Sequence, residues 1–354
     1  MKSFFFLIFI LLSLTGCTNL LYLSKLGWYQ SLIAFHSVPV QEILENERVD
    51  HESKEKIRFV QEVKGYGEKK LGLTRTENYS KYFEVKGPVL HLLTVSEKDC
   101  LRLTHWNFPI TGKVTYKSFF TKEGALKEKR IFEGRGYDTF VQQAGAYSTL
   151  GWLKDPIFSS MLQWEEAILA NLILHEMVHA TIYFKSKTDW NEQMATFIGN
   201  HGAIYFLTEK YGKESKQVIE AIRYQEDDLL FSRWIDQACQ RLSKFYSEEI
   251  SRDEKIRGRE EIFCSLKEEF KNISFQTDCY QGFERININN AVLLAYHRYV
   301  HRLENFHALY EYFENDLRRM IDFFKEIRTS GEDPSFYLER WIKERGISVP
   351  ASLQ

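Results

Sequence analysis

The sequence predicts an α+β fold, mostly α, with a small sheet in the first half of the chain and a helical lobe after it. Three observations carry that expectation. Around residues 72–150, apolar and polar side chains alternate with the two-residue period of strands. After Pro156 the apolar residues recur at helical spacing almost to the end. Within the second region one apolar segment, LANLILHEMVHATIYFKSKTDWNEQMATFIG, carries a cluster of imidazoles and carboxylates, which is costly on an apolar helix unless it is paired.

Taken in order, the chain opens with a targeting segment. Lys2 supplies a positive start, and Phe4 to Leu14 is an apolar run too short to span a bilayer stably. It ends in Leu14-Thr15-Gly16-Cys17, which resembles the cleavage box of bacterial lipoproteins, with Cys17 as the lipidated residue. That resemblance implies a membrane partner through a lipid anchor, in the cell envelope, facing periplasm or exterior. Thr18 stands where an aspartate would signal inner-membrane retention, so the outer membrane is favoured where the organism has one. The competing reading is an uncleaved anchor with an incidental cysteine.

Leu20 to Phe35 reads as an apolar-rich helix, for packing or for a membrane surface. A short helix is expected from Val38-Pro39-Val40, and an amphipathic one from His51 to Leu71. Strands are expected over Val85 to Val95, after the turn at Ile110-Thr-Gly, and from Gly136 onward, with a helix at Thr121 to Glu133. Beyond Pro156 come the two motif helices, then Lys213 to Ile250 with a break, Ser251 to Ile273, Asn289 to Glu326 and Pro334 to Lys343. The expected divisions are 1–17, 18–71, 72–210 and 211–354.

The chain has 354 residues, 44% of them hydrophobic and 15% aromatic, enough for a large core. A net charge of −2 and the absence of a basic stripe argue against a nucleic-acid partner. Besides Cys17 there are Cys100, Cys239, Cys264 and Cys279; they allow two disulfides or four free thiols.

The central motif is His175-Glu176-Met177-Val178-His179. On a helix, residues four apart project from one face, so the two imidazoles can share one Zn2+, and Glu176 can act as general base toward a water. After a turn at Lys185 to Asp189 a second helix brings Glu192, twelve residues beyond His179, as a third ligand candidate. The competing reading of Glu192 is a capping box with Asp189. His201 is a second-sphere or surface histidine and the fallback ligand. Asp155, before Pro156, either orients a histidine or forms a turn.

This order of sheet, metal helix and helical lobe resembles the zincin metallopeptidases. Two histidines with a downstream glutamate resemble their gluzincin branch, although the gap to the glutamate is shorter here than in the thermolysin-like and large aminopeptidase families. A closer resemblance is to the putative aminopeptidase family of bacterial lipoproteins. It runs through Trp106-Asn-Phe-Pro, Gly112-Lys-Val-Thr-Tyr-Lys-Ser-Phe-Phe, Gly136-Tyr-Asp, Ala146-Tyr-Ser-Thr-Leu-Gly-Trp, Asp155-Pro156, the histidine motif, Asn191-Glu192 with Ala195, and Asn289-Asn-Ala. Asn107 stands in place of an expected cysteine, and Ser118 in place of a glycine.

The resemblance implies a zincin-like, zinc-dependent peptidase, an aminopeptidase, acting on a peptide substrate. Ala146, Tyr147 and Ser148 occupy the position of the edge strand along which zincins lay substrate; Tyr147 and Trp152 read equally well as core aromatics. Tyr299 is the candidate oxyanion donor, in competition with Tyr296 and Tyr205. Glu165, Glu166 and Asp155 are the acidic residues near the motif that could hold an α-amine. The alternative from another class is a lipoprotein that keeps this fold as a binding or scaffolding module.

Overall fold

The computed structural model describes residues 17–347 apart from 109, 148, 151, 152 and 302, with the side chains of 17–20 and 304 also outside the description. The chain is mostly helical with small sheets, as expected. Residues 14–16 of the cleavage box, the Cys17 side chain, Ser148 and Trp152 fall outside the described residues.

Helix α1 (Cys17–His36) leads to a short strand β1 (Val38–Pro39) and helix α2 (Val40–Glu45). Helix α3 (His51–Lys69) starts where the Asp50 carboxylate accepts from the Ser53 amide, and it buries Ile57, Val60 and Val63 along one face. Strands β2 (Lys81–Phe83), β3 (Leu90–Ser96), β4 (Trp106–Phe108), β5 (Gly112–Val114), β6 (Lys117–Phe119), β7 (Asp138–Ala144) and β8 (Ile157–Phe158) follow, with helix α4 (Lys122–Gly134) between β6 and β7. They form three small sheets among the described residues, ordered β1-β2-β8, β6-β3-β7 and β4-β5. In the second, β3 is central and buried along its whole length, so its polar residues His91, Thr94 and Ser96 are buried beside Leu90, Leu92, Leu93 and Val95. Among the described residues β7 pairs with no strand but β3; Asn289 donates to its Thr139 carbonyl at 3.2 Å.

The helical part comprises α5 (Glu166–Thr181), α6 (Thr188–Tyr211), α7 (Lys216–Tyr246), α8 (Arg252–Lys271), α9 (Asn290–Val300), α10 (Leu303–Tyr312), α11 (Leu317–Ser330) and α12 (Pro334–Glu344). Two expectations are corrected here. The break predicted in 213–250 is absent: no glycine or proline interrupts α7, and Val218, Phe231, Ile235 and Leu242 keep one face buried. The single helix predicted over 289–326 is three. His301 turns extended at the end of α9, and Glu314 and Asn315 adopt positive φ between α10 and α11.

A buried polar joint fastens the helical part to the sheet. Arg259 of α8 forks onto the Asp138 carboxylate at 2.6 and 3.0 Å. The same carboxylate accepts from the Asn290 amide at 3.1 Å, and the Asn290 side chain reaches the Glu97 carbonyl at 3.0 Å. Asn289 caps α9 through the Val292 amide. The Asn289-Asn-Ala motif is thereby explained as a clamp between α9 and the sheet. The four described cysteines are free thiols. Among the described residues no helix is long and apolar enough to cross a membrane.

Candidate metal centre

Helix α5 is apolar on nearly every side because it is enclosed by α3, α6 and α7. Its partner α6 crosses closely. A Cβ on Gly199 would sit 3.1 Å from the Asn171 carbonyl and 3.3 Å from the His175 Cβ, so glycine lets the two helices meet beside the first histidine. The hairpin between them is tight. Ser186 takes φ of 65°, and Asn191 holds the turn at both ends, accepting from the Phe184 amide and donating to the Phe184 carbonyl, each at 2.9 Å. Asn191 is 1% exposed, and its neighbour in the chain is Glu192. Sequence reasoning quoted Asn191 only as part of a motif; its role in setting the hairpin was missed.

This geometry returns Glu192 to the histidine face. Glu192 Oε2 lies 3.3 Å from His175 Nε2 and 3.4 Å from His179 Nε2, and the two Nε2 atoms are 3.1 Å apart. The capping reading of Glu192 does not hold: Lys187 occupies the N-cap of α6 and makes no side-chain cap bond, and Glu192 lies in the helix beyond its first turn. A tetrahedral ion with nitrogen and oxygen ligands at about 2.0–2.1 Å sets its ligand atoms about 3.3 Å apart. The three donor atoms fit that spacing, and two imidazoles with one carboxylate suit a borderline divalent cation such as zinc.

The electrostatics are those of a buried charged trio. Burial works to raise the Glu192 carboxyl, but His179 and His175 hold it well below the carboxylate range. Burial works against a charged His179, yet Glu192 and then Glu176 carry its pKa above the usual value. Glu176 is raised by burial, with the two histidines opposing.

His175, Glu176, His179 and Glu192 all face a cavity of about 1030 Å³. Its wall is largely apolar, with Leu23 and Leu26 of α1, Trp164, and Ile168 and Leu172 of α5. The edge of β7 contributes Gln142, Gln143 and Ala144. Gly145 is needed where the chain leaves this strand, because a Cβ there would stand 2.2 Å from the Trp164 ring. Ala146 and Tyr147 line the cavity but lie beyond the end of β7, so the strand edge along the cavity is a few residues earlier than the sequence suggested. Tyr147 also packs on Phe158 and Phe120, and its hydroxyl donates to Gln30 at 2.6 Å.

Of the three tyrosines weighed, Tyr299 lines the cavity, and burial with the nearby Glu192 carboxylate pushes its hydroxyl far up. Tyr296 packs among Phe231, Phe283 and Phe140, and Tyr205 bonds to Tyr310 and the Asn315 carbonyl. Tyr116 and Tyr183 also line the cavity and feel Glu192; no spacing signal marked them. His201 is apart from the trio, stacked on Phe197 and Tyr310 and bonded to Gln225 at 2.9 Å. Asp155 orients no histidine: it binds the Thr149 amide and hydroxyl at 2.9 and 2.8 Å, which is the turn reading. Glu165 and Glu166 accept from Tyr224 and Tyr211 and do not line the cavity. Besides Glu176 and Glu192, Asp228 lines it, bonded to Tyr280 and Asn200; the sequence did not single it out.

The sequence profile of a family described as "Putative aminopeptidase" matches residues 21–335. No curated protein and no solved structure matches the chain.

Proposed function

The chain belongs to the putative aminopeptidase family, and from that premise we propose that it is a zinc-dependent, gluzincin-like metallopeptidase of zincin-like fold that removes N-terminal residues from peptides. The observation that carries this reading is the convergence of His175, His179 and Glu192 donor atoms within 3.1–3.4 Å, beside Glu176, on the wall of a large cavity. When bound by these residues, zinc lowers the pKa of a water to about 7 and polarises a carbonyl.

The chain's own residues supply the rest. Glu176 takes the proton of the attacking water and hands it to the leaving amine, and its burial favours the proton-accepting role near neutral pH. Tyr299 keeps its proton, so its hydroxyl can donate to the oxygen that gains charge at the scissile carbonyl. The edge of β7 offers backbone groups for an extended peptide, and Ala146 and Tyr147 continue that wall. The apolar lining suits apolar substrate side chains.

A fluorogenic peptide library tests this, with each sequence supplied both with a free and with an acetylated N-terminus. Turnover confined to free N-termini and abolished by chelation is expected. Equal cleavage of both sets makes the enzyme an endopeptidase. Zinc binding without turnover of either set favours the scaffolding module.

The protein is further proposed to be a lipoprotein anchored through Cys17 in a bacterial membrane, the outer one where present. Beyond the anchor, Leu21, Trp28 and Phe35 are 63%, 65% and 86% exposed, and their seven-residue spacing sets them on one side of α1, where an apolar line can rest on the bilayer. Cys17→Ser is expected to release the protein from membranes or block its maturation. Fatty-acid labelling that is unchanged in the variant would rule out the anchor.

A further inference from the structure

Outside the cavity a second group of ligand-type side chains meets. Asp236 comes from α7, His297 from the last turn of α9, and His301 from the residue that ends α9. His297 Nε2 lies 3.1 Å and His301 Nδ1 3.0 Å from the same oxygen, Asp236 Oδ1. All three residues offer a ligand atom within 4.8 Å of the others. The imidazole rings are stacked, with centroids 4.1 Å apart and planes 24° apart. One backbone feature keeps the arrangement in register: Ser232, one turn before Asp236 on α7, donates to the Val300 carbonyl at 2.8 Å.

Two details are poorly explained by a simple pairing of imidazole and carboxylate. Both nitrogens crowd one oxygen, while Asp236 Oδ2 is buried and has no hydrogen-bond partner among the described residues. Asp236 is only 3% exposed, and an unpartnered carboxylate oxygen in such a place is costly. A cation held among these three side chains would offset the charge of the buried carboxylate and spare the two imidazoles from sharing protons with a single oxygen. His297 and His301 are 20% and 34% exposed at the side chain and face a cavity of about 180 Å³, so an ion can enter and keep water ligands.

We propose that Asp236, His297 and His301 form a second metal site, for a borderline divalent cation of the zinc type. Two nitrogen donors against one carboxylate disfavour calcium and magnesium, which take oxygen ligands. No glutamate follows the first histidine here; Arg298 does, buried and bonded to Thr115 and Thr94. The ion therefore has a holding role. It staples α7 to the end of α9, within one turn of Tyr299, and so steadies the helix that presents this tyrosine to the cavity. The proposal stands independently of the peptidase reading.

The test uses the full mature chain, freed of metal and dialysed against buffered free zinc. Two zinc ions per chain are expected in the wild type, one in His297→Gln/His301→Gln, and one in His175→Gln/His179→Gln. A wild-type count of one, or of two that the His297→Gln/His301→Gln change leaves intact, overturns the proposal. In case that double variant fails to fold, cobalt supplies a second measurement in the His175→Gln/His179→Gln background. Visible d–d absorption there that is lost on adding Asp236→Asn supports the site; no absorption before that change overturns it.

Discussion

Two pairs of histidines, each four residues apart, meet a carboxylate in this molecule, and their surroundings differ. His175 and His179 lie within an enclosed helix, their rings at 82°, with Glu192 brought to them by a hairpin. His297 and His301 lie at the frayed end of a helix, their rings nearly parallel, with Asp236 reaching over from a neighbouring helix. The first pair has a glutamate between its histidines and about 1030 Å³ in front of it; the second has an arginine and about 180 Å³. Similar donor chemistry thus supports different roles. On the proposed reading, a buried base and room for a peptide suit the first set to a reaction, whereas the second set, without them, is suited to holding helices together.

Breaking the first set is expected to have the largest effect. Glu192→Gln removes a charged ligand, so it should lose the ion bound by His175 and His179 and all measurable turnover. Zinc stoichiometry after dialysis against a weak chelator checks it. Full zinc in this variant would mean that the third ligand lies elsewhere, although His201, packed on Phe197 and Tyr310, is no longer a candidate.

Glu176→Gln is expected to cost about 10²–10⁴-fold in kcat, the usual worth of a general base, while leaving zinc in place. Single-turnover rates measured beside metal content separate it from the Glu192 variant. Retained activity would remove Glu176 from the mechanism and bring the first set down to the status of the second.

A smaller effect distinguishes the two sets thermally. An ion at about 100 times its Kd stabilises the folded chain by about 2.7 kcal/mol, a shift of several degrees in Tm. Zinc added to metal-free protein should raise Tm in the wild type by more than in His297→Gln/His301→Gln. Equal shifts would mean that the second set holds nothing.

A titration outside both sets serves as a control. Burial raises the Asp155 carboxyl to about 7, with the bonds from Thr149 opposing. The unfolded chain gives up this proton near pH ~4. Between those values the folded chain holds the extra proton, so this group makes stability fall as pH rises from ~4 to about 7. Asp155→Asn should flatten the slope of denaturation midpoint against pH in that window, without changing metal content. An unchanged slope would mean that Asp155 ionises normally.

Much of this was legible in the chain because it is local. Helical spacing placed His175 and His179 on one face, and the turn residues after Lys185 announced a hairpin that could return Glu192. Helix ends with capping residues, such as Ser251 with Glu254, and the buried strand β3 were equally readable. The error over 289–326 has a local cause too: Asn315 is of a type that tolerates positive φ, but Glu314 beside it is not, and no glycine or proline marks the break.

By itself, then, the sequence determined the mostly helical α+β class and the spacing that lets His175, Glu176, His179 and Glu192 meet, because each depends on periodicity along one or two neighbouring helices. Tertiary structure alone decided what depends on distant segments meeting. It put Tyr299 on the cavity and left Tyr296 and Tyr205 away from it. It denied Asp155 a histidine partner and set Asp228 in the wall in place of Glu165 and Glu166. It also carried Asp236 to two histidines more than sixty positions further on. Burial and long-range packing set these contacts, and neither leaves a period in the chain.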